Sequence, residues 1–97
     1  MIDLNKIVGF EWDKWNIDKS YKKHGISLNE TEEIFLDEEV KIEKDIKHQQ
    51  QEKRFIAIGM TTEEKILFVI FTLRNDKIRI ISGRIANKKE REVYNKK

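Results

Sequence analysis

Lys65-Ile-Leu-Phe-Val-Ile-Phe-Thr-Leu73 constrains this chain more than any other stretch. It is apolar on both parities, and a strand that hides both faces belongs in the middle of a sheet. Phe68, Ile70 and Phe71 are therefore expected in the core. A central strand needs neighbours on both sides, and the flanking sequence offers them. Lys53-Arg-Phe-Ile-Ala-Ile-Gly59 precedes it, and Ile78–Ile85 follows across Arg74-Asn-Asp-Lys77, whose Asn-Asp pair suits a hairpin turn. Val40-Lys-Ile-Glu-Lys44 alternates as an edge strand does, and the polar Lys47-His-Gln-Gln-Gln-Glu52 reads as a loop.

Before Val40 the apolar period is helical. Ile7–Trp12 alternates as a short strand, and Asp13 then suits an N-cap, with Trp12 placed to staple against Ile17. Ile17, Tyr21 and His24 recur at helical spacing, and Gly25 suits the left-handed position that ends such a helix. Ser27-Leu-Asn-Glu30 is a capping box opening a second helix. Its inward residues are expected to be Leu28, Thr31, Ile34 and Phe35, and Asp37-Glu-Glu39 ends it. The two helices make an N-terminal hairpin joined at Gly25-Ile26. Asn87 with Glu90 caps a C-terminal helix. The order is β, α, α, β, β, β, β, α, which predicts an α+β fold with helices segregated from an antiparallel β-sheet.

Ninety-seven residues are read as a single domain spanning 1–97. Charged residues make up 39% and hydrophobic ones 38%, but the apolar positions are periodic, which argues for a folded, heavily solvated domain against disorder. No Cys is present, which excludes disulfides and thiolate metal sites. No apolar run approaches the roughly 18 residues of a membrane span, and Met1–Phe10 lacks the form of a signal peptide. A cytoplasmic protein without membrane association is expected. The charge is unevenly spread along the chain. Residues 77–97 hold eight Lys/Arg against two Glu, a net of +6, whereas residues 1–76 hold twelve against sixteen Asp/Glu, a net of −4. Positive charge gathered in this way attracts polyanions, so nucleic acid is the first partner to consider.

Trp12-Asp13, the Lys23-His24-Gly25-Ile26-Ser27 turn, Phe35-Leu-Asp37, Lys47-His48, Glu52-Lys-Arg-Phe55 and Ile80-Ile-Ser-Gly-Arg84 follow one another in an order and spacing that resembles the BrnT family. The resemblance runs from about Phe10 to Tyr94. It implies a RelE-like fold, ribonuclease activity, and the role of toxin in a type II toxin–antitoxin pair. The chain departs from the family at Gly83, where Ala is usual, at Ser20, where Asn is common, and at the bulky Trp15. The resemblance also implies a BrnA-like ribbon–helix–helix antitoxin and a heterotetramer with it.

RNA cleavage without a metal uses the substrate's own 2′-hydroxyl as nucleophile on the neighbouring phosphate. Arg and Lys suit the tasks of holding that phosphate and stabilising its oxygens, and His, Tyr or Glu can move protons. Arg84 is the first catalytic candidate, at a strand end beside Gly83, which lets a backbone approach closely; the structural alternative is a pair with Glu90. Arg54 and Arg79 sit on otherwise apolar strands and each can serve the same face, Arg54 as a catalytic candidate and Arg79 in RNA binding; for Arg79 structural pairing is an equal alternative. His24, at a helix C-terminus, and His48, in a polar loop, are candidates for proton transfer. Lys88, Lys89 and Arg91 are candidates for phosphate contacts and Tyr94 for base stacking. The structural alternatives are a helix cap or packed His24, a solvated His48 and a Tyr94 ring buried on the sheet. Asp37-Glu-Glu39 with Glu43 and Asp45 reads as a solvated face, so neither a metal nor a cofactor is assigned.

Three functions fit these residues. The first is a ribonuclease toxin acting on messenger RNA, the second a non-catalytic nucleic-acid-binding or regulatory module on the same basic surface. The third is a structural partner of another small protein.

Overall fold

A computed structural model of the chain describes residues 6–12, 25–45 and 53–96. Strand β1 is Gly9–Trp12 and helix α1 is Leu28–Glu33, continued by a 3-10 turn at Ile34–Leu36. Strands β2 (Lys41–Lys44), β3 (Phe55–Met60), β4 (Ile66–Arg74) and β5 (Lys77–Ile85) follow, then helix α2, Lys88–Asn95. The sheet order is β1-β5-β4-β3-β2, so the doubly apolar β4 is central and β2 is an edge.

β2 to β5 form the expected antiparallel meander. β1 does not conform: it lies against the outer edge of β5 in parallel, Phe10 opposite Ile78 and Trp12 opposite Ile80. Alternation reveals a strand but not the direction in which it meets a partner distant in sequence, so the sheet is mostly rather than wholly antiparallel. The first helix of the expected hairpin, with His24, and the loop with His48 lie outside the described residues. Gly25 has a φ of +66°, the left-handed conformation that glycine adopts without a Cβ penalty.

Local signals account for the joints. Ser27 and Glu30 satisfy each other's backbone donors as a capping box, and Asn87 and Glu90 do the same at α2. Asn75 and Asp76 both have positive φ, 51° and 62°, which a tight two-residue hairpin requires and which Asn and Asp tolerate.

One face of the sheet carries the core. Ile34, Leu67, Val69, Phe71 and Ile78 are fully buried, and Phe35 meets Phe71 edge-on at 5.1 Å. α1 and the 3-10 turn lie on this face at unusually short range. A Cβ on Gly59 would come within 2.8 Å of the Ile34 Cβ, and one on Gly83 within 2.9 Å of the Thr31 Cγ2. Gly83 therefore serves helix packing on the core face, not close approach beside Arg84 on the other. Phe68 and Ile70 also depart from expectation: they are half-buried and point to the second face, which leaves Phe71 as the core residue of the three.

Candidate active site

The second face is built by register. On a regular strand, residues five apart point to opposite sides. Arg79 and Arg84 escape this because the pairing of β4 with β5 shifts by one residue between Ile70 and Phe71. Ser82 opposes Ile70 while Ile80 opposes Phe71, so Ile81 is the extra residue of a bulge. The burial of Ile78, Ile80 and Gly83 marks the switch of parity. Arg79 beside Thr72 and Arg84 beside Phe68 thus stand on one face, separated by four residues of β4, roughly 13 Å.

Arg54 joins them. The Asp45 backbone N–H donates to the Arg54 carbonyl at 2.8 Å, which carries the β2–β3 ladder one step beyond β3 and sets Arg54 opposite Asp45. The alternation of β3 then turns Arg54 to the face of Ile56 and Ile58. This row runs Asp45, Arg54, Thr72, Arg79 and Glu11 across the sheet. Asp45 is buried, and both it and Arg79 are engaged with neighbours.

Arg84 is held from three sides. Its Nη1 and Nη2 donate to the two carboxylate oxygens of Glu90, both at 2.7 Å, and its guanidinium carbon lies 4.2 Å from the centre of the Phe68 ring. A weaker bond runs from Nη1 to the Ile85 carbonyl at 3.3 Å. The fork spent on Glu90 is the end of the guanidinium, and the hydrogen bonds of Arg84 to the described residues all run through Nη1 and Nη2, not Nε. The Arg84 side chain remains 37% exposed while that of Glu90 is 15% exposed. Burial on its own would raise the Glu90 pKa, but hydrogen bonds from Arg84 and the Asn87 backbone outweigh it and hold the carboxyl below its ordinary value.

The remaining basic residues divide. Lys88 and Lys89 open α2 and are exposed, whereas the Arg91 Nη1 donates to the Ala86 carbonyl at 2.9 Å. The Lys77 ammonium lies 3.8 Å from Glu11. Tyr94 donates its hydroxyl to Asp37 at 2.6 Å, and the Met60 and Glu39 backbone N–H groups donate to the same carboxylate. Burial and this bond push the Tyr94 phenol up to about 12. Asp37 stays below its ordinary value despite its burial, because those three donors stabilise the carboxylate.

Sequence reading thus named Arg84, Arg79 and Arg54, and the register brings them to one face. It missed the seat that Phe68 gives Arg84 and the tie between Tyr94 and Asp37. The broken alternation at Ile80-Ile81 was the available signal for the bulge. Among the described residues no three His, Asp or Glu converge as metal ligands would, and no helix is long and apolar enough to cross a membrane.

Three arginines on one sheet face of a small α+β domain, each beside a carboxylate, form a polar surface of the kind that engages anions. The family model described as ribonuclease toxin, BrnT, of type II toxin–antitoxin system matches residues 12–90, and the chain belongs to that family. Its fold is similar to the crystal structure of the Brucella abortus ribonuclease toxin BrnT, with a TM-score of 0.63 and 23% identity, over 82% of this chain and 97% of that one. No curated protein matches the chain. Membership in this family sets the ribonuclease reading above the non-catalytic module and implies an RNA target and an antitoxin partner.

Proposed function

We propose that residues 1–97 act as one domain that cleaves messenger RNA in the cytoplasm without a metal, and so arrests translation and growth. In this reading the 2′-hydroxyl attacks the adjacent phosphate while Arg84 stabilises the charge that builds on its oxygens. The observation that carries it is the Arg84 guanidinium itself, fixed by Glu90 and Phe68 with its Nε edge turned away from Glu90. Arg54 supports the phosphate from the same face, and His24 and His48 are the proton-transfer candidates. Arg79, Lys88, Lys89 and Arg91 hold flanking phosphates, and the Tyr94 ring offers a stacking edge. A BrnA-like ribbon–helix–helix antitoxin, in a heterotetramer, silences the toxin by covering the basic face and excluding RNA electrostatically.

The test is an RNA cleavage assay in the presence of a chelator. Cleavage that persists, and is lost in folded Arg84→Ala, is the expected result; cleavage that requires added divalent metal would overturn the mechanism. Expression of the chain alone should stop growth and co-expression with the antitoxin restore it. Normal growth at high soluble yield of the chain alone would count against the toxin role.

A further inference from the structure

We infer that Glu90 is a positioning residue for the ribonuclease reaction: it holds the Arg84 guanidinium in the orientation in which its Nε edge can reach the scissile phosphate. The inference rests on the proposed role of Arg84 and adds a residue to it. Three features of the structure carry it. The two carboxylate oxygens take one Nη hydrogen each at 2.7 Å, which fixes the plane of the guanidinium as a single bond would not. Phe68 lies beneath that group at 4.2 Å from ring centre to guanidinium carbon, which leaves one face and one edge for a ligand. Glu90 is itself immobilised, because the same Oε1 accepts the Asn87 backbone N–H at 2.9 Å and the Glu90 N–H donates back to the Asn87 side chain at 2.9 Å. The orientation of Arg84 on β5 is thereby set by the first turn of α2.

A carboxylate so close to a phosphate-binding arginine has two opposed consequences. As an anchor it removes the rotational freedom that a long side chain would otherwise lose on reaching the transition state. As a competitor it occupies donors a phosphate could use and repels the anion. The donors that Glu90 takes are at the end of the fork, and the Nε–H with the second Nη2 hydrogen forms a separate side fork matched to two phosphate oxygens. The geometry favours the anchor.

The experiment measures steady-state RNA cleavage by wild type, Arg84→Ala, Glu90→Gln and the double variant, each checked for its melting temperature. Gln retains the ability to close the capping box, so Glu90→Gln keeps α2. The expected result is a fall in kcat of about tenfold or more with KM little changed in Glu90→Gln, and no further loss when Glu90→Gln is added to Arg84→Ala. A Glu90→Gln enzyme as fast as wild type, or faster, would mark the carboxylate as a competitor and overturn the inference. An equal loss in the Arg84→Ala background would overturn it too, because Glu90 would then act independently of Arg84. Asn87→Ala separates orientation from helix integrity: it removes the side-chain cap but keeps the Asn87 backbone N–H that holds the Glu90 Oε1 and keeps the ion pair itself, so it should lower the melting temperature and cost much less kcat than Glu90→Gln. If Asn87→Ala loses as much kcat as Glu90→Gln, the role is structural and the inference falls. Near wild-type cleavage by Arg84→Ala would instead remove the role of Arg84, a failure distinguishable from that of Glu90 alone.

Discussion

The α1 face of the sheet is dry and interlocked, whereas the α2 face is half-covered and held by polar contacts. On the first, Ile34, Leu67, Val69 and Phe71 are buried and helix and sheet approach so closely that two glycines are needed to admit them. On the second, α2 has no buried residue and is tied at its start by Arg84–Glu90 and near its end by Tyr94–Asp37. A small domain draws stability from apolar burial and only modestly from half-exposed ion pairs. Variants on the first face should therefore act on folding, and variants on the second on chemistry.

Phe71→Ala should break the first face most severely. Phe71 is fully buried and packs against both Phe35 and Phe55, so truncation should cost about 3–5 kcal/mol. Denaturant unfolding measures this directly, and a loss below about 1 kcal/mol would mean that the core lies elsewhere. Any fall in cleavage by this variant reports unfolding.

Arg84→Ala tests the opposite face. It should lower cleavage by about 10²–10³-fold, the usual loss when one preorganised donor to the transition state is removed. Losing a partly exposed ion pair and a cation–π contact should cost only about 1 kcal/mol of stability, a drop in melting temperature of roughly 4–8 °C. Arg84→Lys should recover only part of the rate, since Lys keeps the charge without the fork. A folded Arg84→Ala variant that cleaves at the wild-type rate would erase the contrast between the faces and move attention to Arg54.

Gly83→Ala sharpens the comparison because Gly83 neighbours Arg84 in sequence yet faces α1. A methyl there meets the Thr31 Cγ2 at 2.9 Å, so the variant should lose about 1–3 kcal/mol by overpacking. Thr31→Ser, which deletes that methyl carbon, should recover much of the loss. Thr31 is the nearest residue against which Gly83 is fitted. Failure of the double variant to recover would show that the strain lies in the β5 backbone.

Much of the fold was legible in the sequence because it is written in short-range signals. The double apolar parity of Ile66–Leu73 placed β4 at the centre, and both capping boxes were visible as Ser27…Glu30 and Asn87…Glu90. The features that escaped depend on pairs distant in sequence. The parallel docking of β1 on β5 and the 57-residue span from Asp37 to Tyr94 leave no periodic trace. The bulge at Ile81 was the intermediate case, since two adjacent isoleucines break the alternation without saying which way the strand turns. Arg79 and Arg84 were named from charge, and only the register shift made them neighbours on one face.

Tyr94→Phe should have the smallest effect, and it separates the two uses of α2. Phe keeps the ring offered to a base but removes the hydroxyl that donates to Asp37 at 2.6 Å. The Asp37 carboxylate would still accept from the Met60 and Glu39 backbones, so the cost should be about 1 kcal/mol, near that of a single hydrogen bond. The pH dependence identifies the bond. Tyr94 has a folded pKa raised to about 12 from an ordinary 10.0, so its contribution is present below pH 10 and is lost as the pH rises through 12. Asp37 and Glu90 have the opposite sign: their folded pKa values are lowered from 3.8 and 4.5, so their contributions are present above those values and vanish as the pH falls below them. Wild type should therefore lose stability relative to Tyr94→Phe between about pH 10 and 12, and the two should converge above that range. Parallel stability curves across it would show that the hydroxyl bond does not hold α2 to the sheet, and would leave the Arg84–Glu90 pair as its main polar tie.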